Sequence, residues 1–319
     1  MIPYLWFEQA AERISDHIQV TPLEYDQEND IYLKWENQQV TGSFKARGAI
    51  NKILTLQPWE RDLGIVTASA GNHGQGLALA GRLVDAPVTV FVSEAAASIK
   101  VEAIRILGAE IRFVPGGYGE AEQAGLEYSR NKGKTWVSAY NDGQVIAGQG
   151  TLALEVLAAP ILQNNLTWIV PCGGGGLLAG IGAVVKTKPA SQHHNLVGVQ
   201  SEASPYMFEL FNHRPQEGVR ELPSLADGLA GPVEHNSLTI PIVRHHVDEM
   251  LLVSEAEIIQ AMAYAWTRFE ERIEPSAAVA LAAVLTGNVS ERPALVVITG
   301  GNIDINQHRK LIQMTVPPG

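Results

Sequence analysis

The chain of 319 residues has a single cysteine, Cys172, and charged residues make up only 18% of it. One cysteine excludes an intrachain disulfide, so we expect a protein of the reducing cytoplasm. The low charge, together with 46% hydrophobic residues, excludes a disordered chain and is typical of a globular protein with a large core. Long apolar runs are missing, as is a basic leader before an apolar segment, so neither a membrane span nor a signal peptide is expected.

Basic residues are scarce as well. Lysine and arginine number 23 against 34 aspartate and glutamate residues, which gives a net charge of −11. A nucleic acid or an anionic membrane surface would select for clustered lysine and arginine, so neither is an expected partner. The expected ligand is therefore a small molecule.

Short runs rich in β-branched residues alternate with helical patterns along almost the whole chain. Such alternation is typical of an α/β protein whose mostly parallel sheets carry helices on both faces. We predict two lobes, a small domain over 63–142 and a large domain over 1–62 and 143–319. Strands are predicted to begin near nine positions, 31, 64, 88, 110, 135, 167, 195, 249 and 294.

Three unusual segments follow predicted strands. The segment "SAGNHGQG" follows the strand at 64, "CGGGG" follows the strand at 167, and "TGGNID" follows the strand at 294. Ligands of open parallel sheets bind at the carboxyl ends of the strands. These three segments are therefore candidates for one site.

Four consecutive glycines, Gly173 to Gly176, join a strand to a helix that begins near Leu177. Backbone amides without β-carbons can close around an anion, and a helix N-terminus favours negative charge, so the turn predicts a phosphate site. A dinucleotide is disfavoured because the next strand ends in Gln200 rather than in an acid, although Glu202 lies two residues beyond. No lysine follows the glycines as nucleoside triphosphate loops require.

Lys45 lies in "TGSFKARGA" among small and apolar residues, at the predicted start of a helix. Alone, it is more typical of a surface or capping lysine. Combined with a phosphate turn, it suggests pyridoxal phosphate, whose aldehyde condenses with an amine. The hydroxyl of Thr299 could then serve the pyridine nitrogen as a hydrogen-bond partner.

The chain resembles a known family in seven ordered blocks between about residues 20 and 305. The blocks are "TGSFKARGA", "SAGNHGQG", "VIAGQGTLALEV", "GGGGLLAG", "ADGLA", "EPSAAVALAA" and "TGGNID". They are similar to those of the fold type II pyridoxal phosphate enzymes, in the branch of threonine and serine dehydratases and serine racemases. The resemblance implies the two-lobed fold and a homodimer, and the short chain favours the catabolic type of threonine dehydratase.

The resemblance also implies roles for individual residues. Lys45 would carry the cofactor covalently and act as the catalytic base, and Asn72 would hydrogen-bond the ring oxygen. The remaining expected cofactor contacts are Phe44 on the ring face, Gly173, Gly174, Gly175, Gly176 and the Leu177 amide at the phosphate, the backbone of Gly228, and Thr299 at the pyridine nitrogen. The expected substrate-binding residues are Ser69, Ala70, Asn72 and His73.

Ala70 distinguishes two activities. In serine racemases a second serine at this place works as the acid–base group on the face opposite the lysine, and a methyl group cannot move a proton. We therefore expect elimination of water and ammonia from L-threonine or L-serine, giving 2-oxobutyrate or pyruvate. An amino acid racemase is the first alternative, and a non-catalytic protein that binds pyridoxal phosphate or a nucleotide is the second.

No metal site is expected. Where related enzymes place two carboxylates near the active site, this chain has Gln200 and Tyr206, so the usual oxygen ligands are missing. Two pairs of adjacent histidines are expected on the solvated surface rather than at a metal, His193 with His194 and His245 with His246. The sequence favours a packing role for Cys172, and it leaves open whether Glu274 lies near the ring or only begins a helix.

Overall fold

The computed structural model describes residues 1–159, 165–187 and 194–314. These residues form two β-sheets, one of six strands and one of four. All strand pairs are parallel except the first, in which β1 (Leu23–Asp26) runs antiparallel to β2 (Ile31–Trp35). The predicted α/β class is confirmed.

The four-stranded sheet uses the middle of the sequence and has the order β5-β4-β3-β6. Its strands are β3 (Ile65–Ala68), β4 (Val88–Ser93), β5 (Glu110–Val114) and β6 (Thr135–Trp136). The six-stranded sheet has the order β1-β2-β10-β7-β8-β9, and its remaining strands are β7 (Thr167–Pro171), β8 (Asn195–Ser201), β9 (Glu249–Val253) and β10 (Ala294–Ile298).

Helices connect the strands. They are α1 (Tyr4–Ile14), α2 (Lys45–Thr55), α3 (Pro58–Leu63), α4 (Asn72–Leu83), α5 (Ser98–Ile106), α6 (Tyr118–Lys132), α7 (Gly143–Leu157), α8 (Gly176–Val185), α9 (Tyr206–Phe211), α10 (Thr239–His246), α11 (Glu255–Phe269), α12 (Pro275–Leu285) and α13 (Ile305–Gln313). Within the described ranges, no helix is both long and apolar enough to cross a membrane.

Alternation along the strands explains why helices cover both faces of the large sheet. In β7, Trp168 and Val170 pack with α7 and α8 in one apolar cluster, whereas Ile169 packs with α11 and α12 in another. Successive side chains of a strand point to opposite faces. A strand buried on both faces must therefore be apolar throughout, as "TWIVP" nearly is.

The nine predicted strand positions all correspond to strands. The prediction missed β1, in which two of the four residues are exposed and no continuous apolar run occurs. The strands of the smaller sheet all lie between residues 65 and 136, inside the predicted small domain. The division into domains at 63 and 142 stays a prediction.

The surface assignment of the histidine pairs was wrong for two of the described histidines. His194 is buried, and its Nδ1 accepts a hydrogen bond from the Leu166 amide at 3.1 Å. His246 is also buried because α10 packs on α8, whereas His245 is exposed as expected. His193 lies outside the described residues.

Candidate active site

Lys45 is the first residue of α2. Its Nζ donates a hydrogen bond to the Ala139 carbonyl at 2.9 Å and lies 5.1 Å from the centre of the Phe44 ring. Burial of the ammonium lowers the Lys45 pKa to about 8, while the charge of Glu274 opposes that shift. A buried ammonium loses hydration, which favours the neutral amine that acts as nucleophile or base.

The glycine turn, Gly173 to Gly176, packs against Tyr140, the residue after Ala139. A β-carbon on Gly174 would come within 2.5 Å of ring carbons of Tyr140, and one on Gly176 within 2.9 Å of the Tyr140 Cα. Gly175 has a φ of +86°, in the left-handed region where glycine is favoured. The turn therefore needs glycine for close packing, and the structure brings it next to the segment that Lys45 contacts.

The opposite side of the glycine turn packs on the 3₁₀ helix Asp227–Leu229. A β-carbon on Gly173 would lie 2.9 Å from the Leu229 Cα. In the same helix, the Gly228 amide donates to the Ser276 hydroxyl at 3.1 Å. The structure thus places Gly228 beside the turn, and its approach to a cofactor ring stays a prediction.

Ser69 and Ala70 connect β3 to α4, which begins at Asn72. The Ser69 hydroxyl accepts a hydrogen bond from the Gly71 amide at 3.2 Å, and no side chain caps the helix at Gly71. The first amides of an α-helix have no acceptor within the helix. This turn therefore presents backbone donors where the sequence predicts a substrate carboxylate.

The ring of His73 is hydrogen-bonded to the backbone at Val137. Its ring is buried, and Nε2 donates to the Val137 carbonyl at 3.2 Å, which leaves Nδ1 as an unprotonated acceptor. Burial and the nearby Lys45 charge lower the His73 pKa to about 3. A neutral ring without a free N–H cannot donate to a carboxylate, so the backbone amide of His73, at the start of α4, is the donor available for its expected role, which stays a prediction.

The third predicted segment, "TGGNID", packs against the residues that precede Lys45. The amide of Phe44 donates to the Thr299 carbonyl at 3.1 Å, and Ser43 forms a β-bridge with Gly300. Thr299 is buried, with 4% of its surface exposed. The fold therefore holds the Thr299 backbone against the segment that carries Lys45. The contact of the Thr299 hydroxyl with a pyridine nitrogen stays a prediction.

Several site residues were not predicted from the sequence. Ala139 and Tyr140 follow the short strand β6, and the rule that sites lie at the carboxyl ends of strands could have found them. Asn302, inside "TGGNID", donates from Nδ2 to the Asn72 Oδ1 at 2.7 Å. Glu274, left open by the sequence, is buried and accepts from the Asn72 Nδ2 at 2.7 Å.

Cys172 precedes the glycine turn and is buried, with 1% of its surface exposed. Burial raises the pKa of its thiol to about 12. A protonated thiol without access to solvent is unreactive. These features support the packing role that the sequence favours.

The residues expected in place of metal ligands have other contacts. Gln200 is buried, and its Oε1 accepts from the Phe208 amide at 2.7 Å. In the part of the chain that the structure describes, no three His, Cys, Asp or Glu side chains are grouped as metal ligands would be. The absence of a metal site stays a prediction.

These features fit a phosphorylated aldehyde. The glycine turn is a cradle that β-carbons would fill, and a partly neutral amine lies on the adjoining segment. One buried polar group two residues before Lys45, the Ser43 hydroxyl, has no hydrogen-bond partner among the described residues. Buried polar atoms usually have partners, so unpartnered ones indicate a place for a ligand.

Comparison with known proteins agrees with this chemistry. Residues 14–300 match the model of the family described as pyridoxal-phosphate dependent enzyme. The chain belongs to this family, and pyridoxal phosphate is its cofactor. The Lys45, glycine-turn and Asn72 segments would hold it.

Two curated relatives share one activity by name. The chain is 39% identical over 284 residues to the L-threonine ammonia-lyase of Thermotoga maritima, covering 89% of this chain and 70% of that protein. It is 37% identical over 318 residues to an L-threonine dehydratase, catabolic TdcB, of Staphylococcus aureus, covering 96% and 90%. Among solved structures, the serine racemase of Dictyostelium discoideum superposes with a TM-score of 0.85 at 32% identity, covering 94% of this chain and 98% of that one.

Proposed function

We propose that this protein is a pyridoxal phosphate-dependent ammonia-lyase that acts on L-threonine, L-serine or both. The observation that carries the proposal is the position of the Lys45 amine on the Ala139 carbonyl, one residue from the Tyr140 ring that packs on the glycine turn. The amine and the proposed phosphate cradle thus lie on adjoining segments. The names of the curated relatives support this activity.

Lys45 is the proposed catalytic base. When bound, pyridoxal phosphate supplies an electron-withdrawing ring that weakens the bonds at Cα of an attached amino acid. With a pKa of about 8, Lys45 Nζ is partly neutral near neutral pH and can accept the Cα proton. The proton taken from Cα balances the one that the β-hydroxyl needs to leave as water. A water molecule is then consumed by hydrolysis, so the net change converts threonine into 2-oxobutyrate and ammonia.

The backbone amides at the start of α4 are the proposed carboxylate site. They lack intrahelical acceptors, and Ser69 stands beside them with its hydroxyl engaged by Gly71. A helix N-terminus favours an anion. The carboxylate would thereby be fixed while Lys45 Nζ acts on the neighbouring Cα.

Ala70 supports a lyase over a racemase. Racemisation needs a second group that returns a proton to the opposite face of Cα. The side chain of Ala70 is a methyl group, and the ring of neighbouring His73 is neutral and buried against Val137. The likeness to a serine racemase structure keeps racemisation as the alternative.

The test measures ammonia and 2-oxo acid from L-threonine and L-serine, together with the enantiomers of recovered substrate. We expect oxo acid formation by the wild type and its loss in Lys45→Ala. The matched control is Lys132→Ala, an exposed lysine at the end of α6 that should retain activity. Full turnover by Lys45→Ala would contradict the proposal, and accumulation of the D-enantiomer without oxo acid would favour the racemase.

A homodimer in the cytoplasm is also proposed, on the resemblance to the dehydratase branch and on the single cysteine. Sedimentation of the purified full chain tests the assembly state. A monomer at micromolar concentration would contradict the dimer without affecting the proposed chemistry.

A further inference from the structure

The amide of Asn302 has a fixed orientation. Its Nδ2 donates to the Thr41 backbone carbonyl at 2.8 Å and to the Asn72 Oδ1 at 2.7 Å. A backbone carbonyl only accepts, so the group that faces it must be the NH₂ of Asn302. Both hydrogens of Asn302 are then used.

This orientation determines that of Asn72. Because its Oδ1 accepts from Asn302, its Nδ2 points the other way and donates to the Glu274 Oε1 at 2.7 Å. The ionised carboxylate of Glu274 can only accept, so it requires the same orientation of Asn72 as Asn302 does. The NH₂ group of Asn72 has two hydrogens, and the second remains available to donate.

Two glycines allow these side chains to approach. A β-carbon on Gly42, whose φ is +70°, would lie 2.5 Å from the Asn302 Oδ1. A β-carbon on Gly300 would overlap the Glu274 Oε1 and lie 3.2 Å from the Asn72 Nδ2. Gly42 and Gly300 are therefore required to lack side chains by the same chain of hydrogen-bonded groups.

We propose that Asn302 and Glu274 are positioning residues that hold Asn72 as a hydrogen-bond donor, so that the site selects a cofactor carrying an acceptor oxygen on its ring. The inference rests on the proposed function, because it assigns the free Asn72 hydrogen to the phenolic oxygen of pyridoxal phosphate. Neither residue needs to contact the substrate.

Charged groups around Glu274 come from three elements. Lys45 of α2 and Lys100 of α5 attract its carboxylate, and Asp227 of the 3₁₀ helix repels it. Lys100 and Asp227 are themselves paired at 2.6 Å, which offsets their separate effects. Of the groups that act on the Glu274 carboxylate, Asn72 is the one that contacts it by a direct side-chain hydrogen bond.

The experiment compares two ligands of the full chain after removal of its cofactor, pyridoxal 5′-phosphate and 3-deoxypyridoxal 5′-phosphate. Only the first has the ring oxygen. The measured quantity is the ratio of their dissociation constants, obtained by equilibrium dialysis. Intrinsic differences between the ligands cancel when ratios are compared between variants, and general structural damage weakens both ligands alike.

The wild type should prefer the natural cofactor by about tenfold or more, as expected for a hydrogen bond to a charged oxygen. Asn302→Asp replaces the donor by an acceptor that competes with Glu274 for the NH₂ of Asn72, so the preference should fall to about twofold or less. Glu274→Gln is the matched control, because glutamine still offers an oxygen to Asn72 and should keep the preference. Glu274→Leu removes that acceptor and should lower it.

Asn302→Ala provides a second route if Asn302→Asp does not fold, since it removes the donor without adding charge, and it too should reduce the preference. Wild-type preference retained in whichever of the two folds would overturn the inference. A wild type that binds neither ligand would overturn the proposed function itself. A wild type that binds both ligands equally would overturn the inference and leave the proposed function standing.

Discussion

Arg47 and Glu36 form a fully buried ion pair with two hydrogen bonds. The Nε and Nη2 of Arg47 each lie 2.7 Å from a Glu36 carboxylate oxygen, and both side chains have no exposed surface. The same Nη2 contacts Glu155 at 2.8 Å, and Glu155 also pairs with Lys34. Because Arg47 lies two residues after Lys45, this network anchors the turn of α2 that carries the proposed base.

Removing one partner of this pair should destabilise the protein strongly. Arg47→Met leaves Glu36 buried without its partner, so the free energy of unfolding should fall by about 3–5 kcal/mol. Urea denaturation measures the change. Arg130→Met, at an exposed position of α6, is the control and should change stability little. The double variant Arg47→Met/Glu36→Leu should recover part of the loss, and no recovery would contradict the electrostatic explanation.

Gly174→Ala should disturb both stability and cofactor binding. The new methyl group would meet carbons of the Tyr140 ring within 2.5 Å, and overpacking of this kind costs about 1–3 kcal/mol. The comparison is Gly119→Ala in α6, where a β-carbon meets nothing within 4 Å. Alanine favours helix by about 1 kcal/mol over glycine, so this variant should be slightly stabilised. Thermal unfolding and cofactor titration of both variants test the contrast.

Ala70→Ser should introduce racemisation. The substitution places a hydroxyl where racemases have an acid–base serine, and a positioned proton donor contributes about a hundredfold or more. Chiral chromatography of serine recovered from the reaction should detect the D-enantiomer above the wild-type level. Ala70→Gly changes the same position without adding a hydroxyl and should give none. Equal D-serine from both variants would show that the hydroxyl is not the agent.

Glu274 should make the stability of the cofactor-free protein depend on pH. Burial, with repulsion from Asp227, raises its pKa to about 7 from 4.5, although the Asn72 hydrogen bond and the charges of Lys100 and Lys45 oppose the shift. The folded state therefore holds the proton more tightly than the unfolded state. The resulting stabilisation is present below pH 4.5 and is lost as the pH rises through about 7.

Glu274→Gln removes this titration. Relative to wild type, the variant should gain stability at pH 8 by up to about 3 kcal/mol and little at pH 4.5. Urea denaturation at both pH values measures the difference. Glu202→Gln, an exposed carboxylate change, is the control. An equal effect of Glu274→Gln at both pH values would contradict the raised pKa.

The alternation of strands and helices was predictable because each element carries its own periodic pattern of apolar residues. The strand β7 is apolar except for Thr167, and the glycine turn after it is recognisable from its residue type alone. The strand β1 was not predictable, because it has no apolar run and two of its four side chains are exposed. Antiparallel pairing with β2 orders it.

The sequence by itself determined the chemical parts of the candidate site: an amine at Lys45, a turn without side chains at Gly173–Gly176 that is proposed to hold a phosphate, and a methyl group at Ala70. Each follows from a residue type at one place in the chain. Only the tertiary structure decided that Ala139 receives the Lys45 amine and that Glu274 pairs with Asn72. These contacts join residues far apart in sequence, and the packing of two sheets, which no local pattern encodes, brings them within hydrogen-bonding distance.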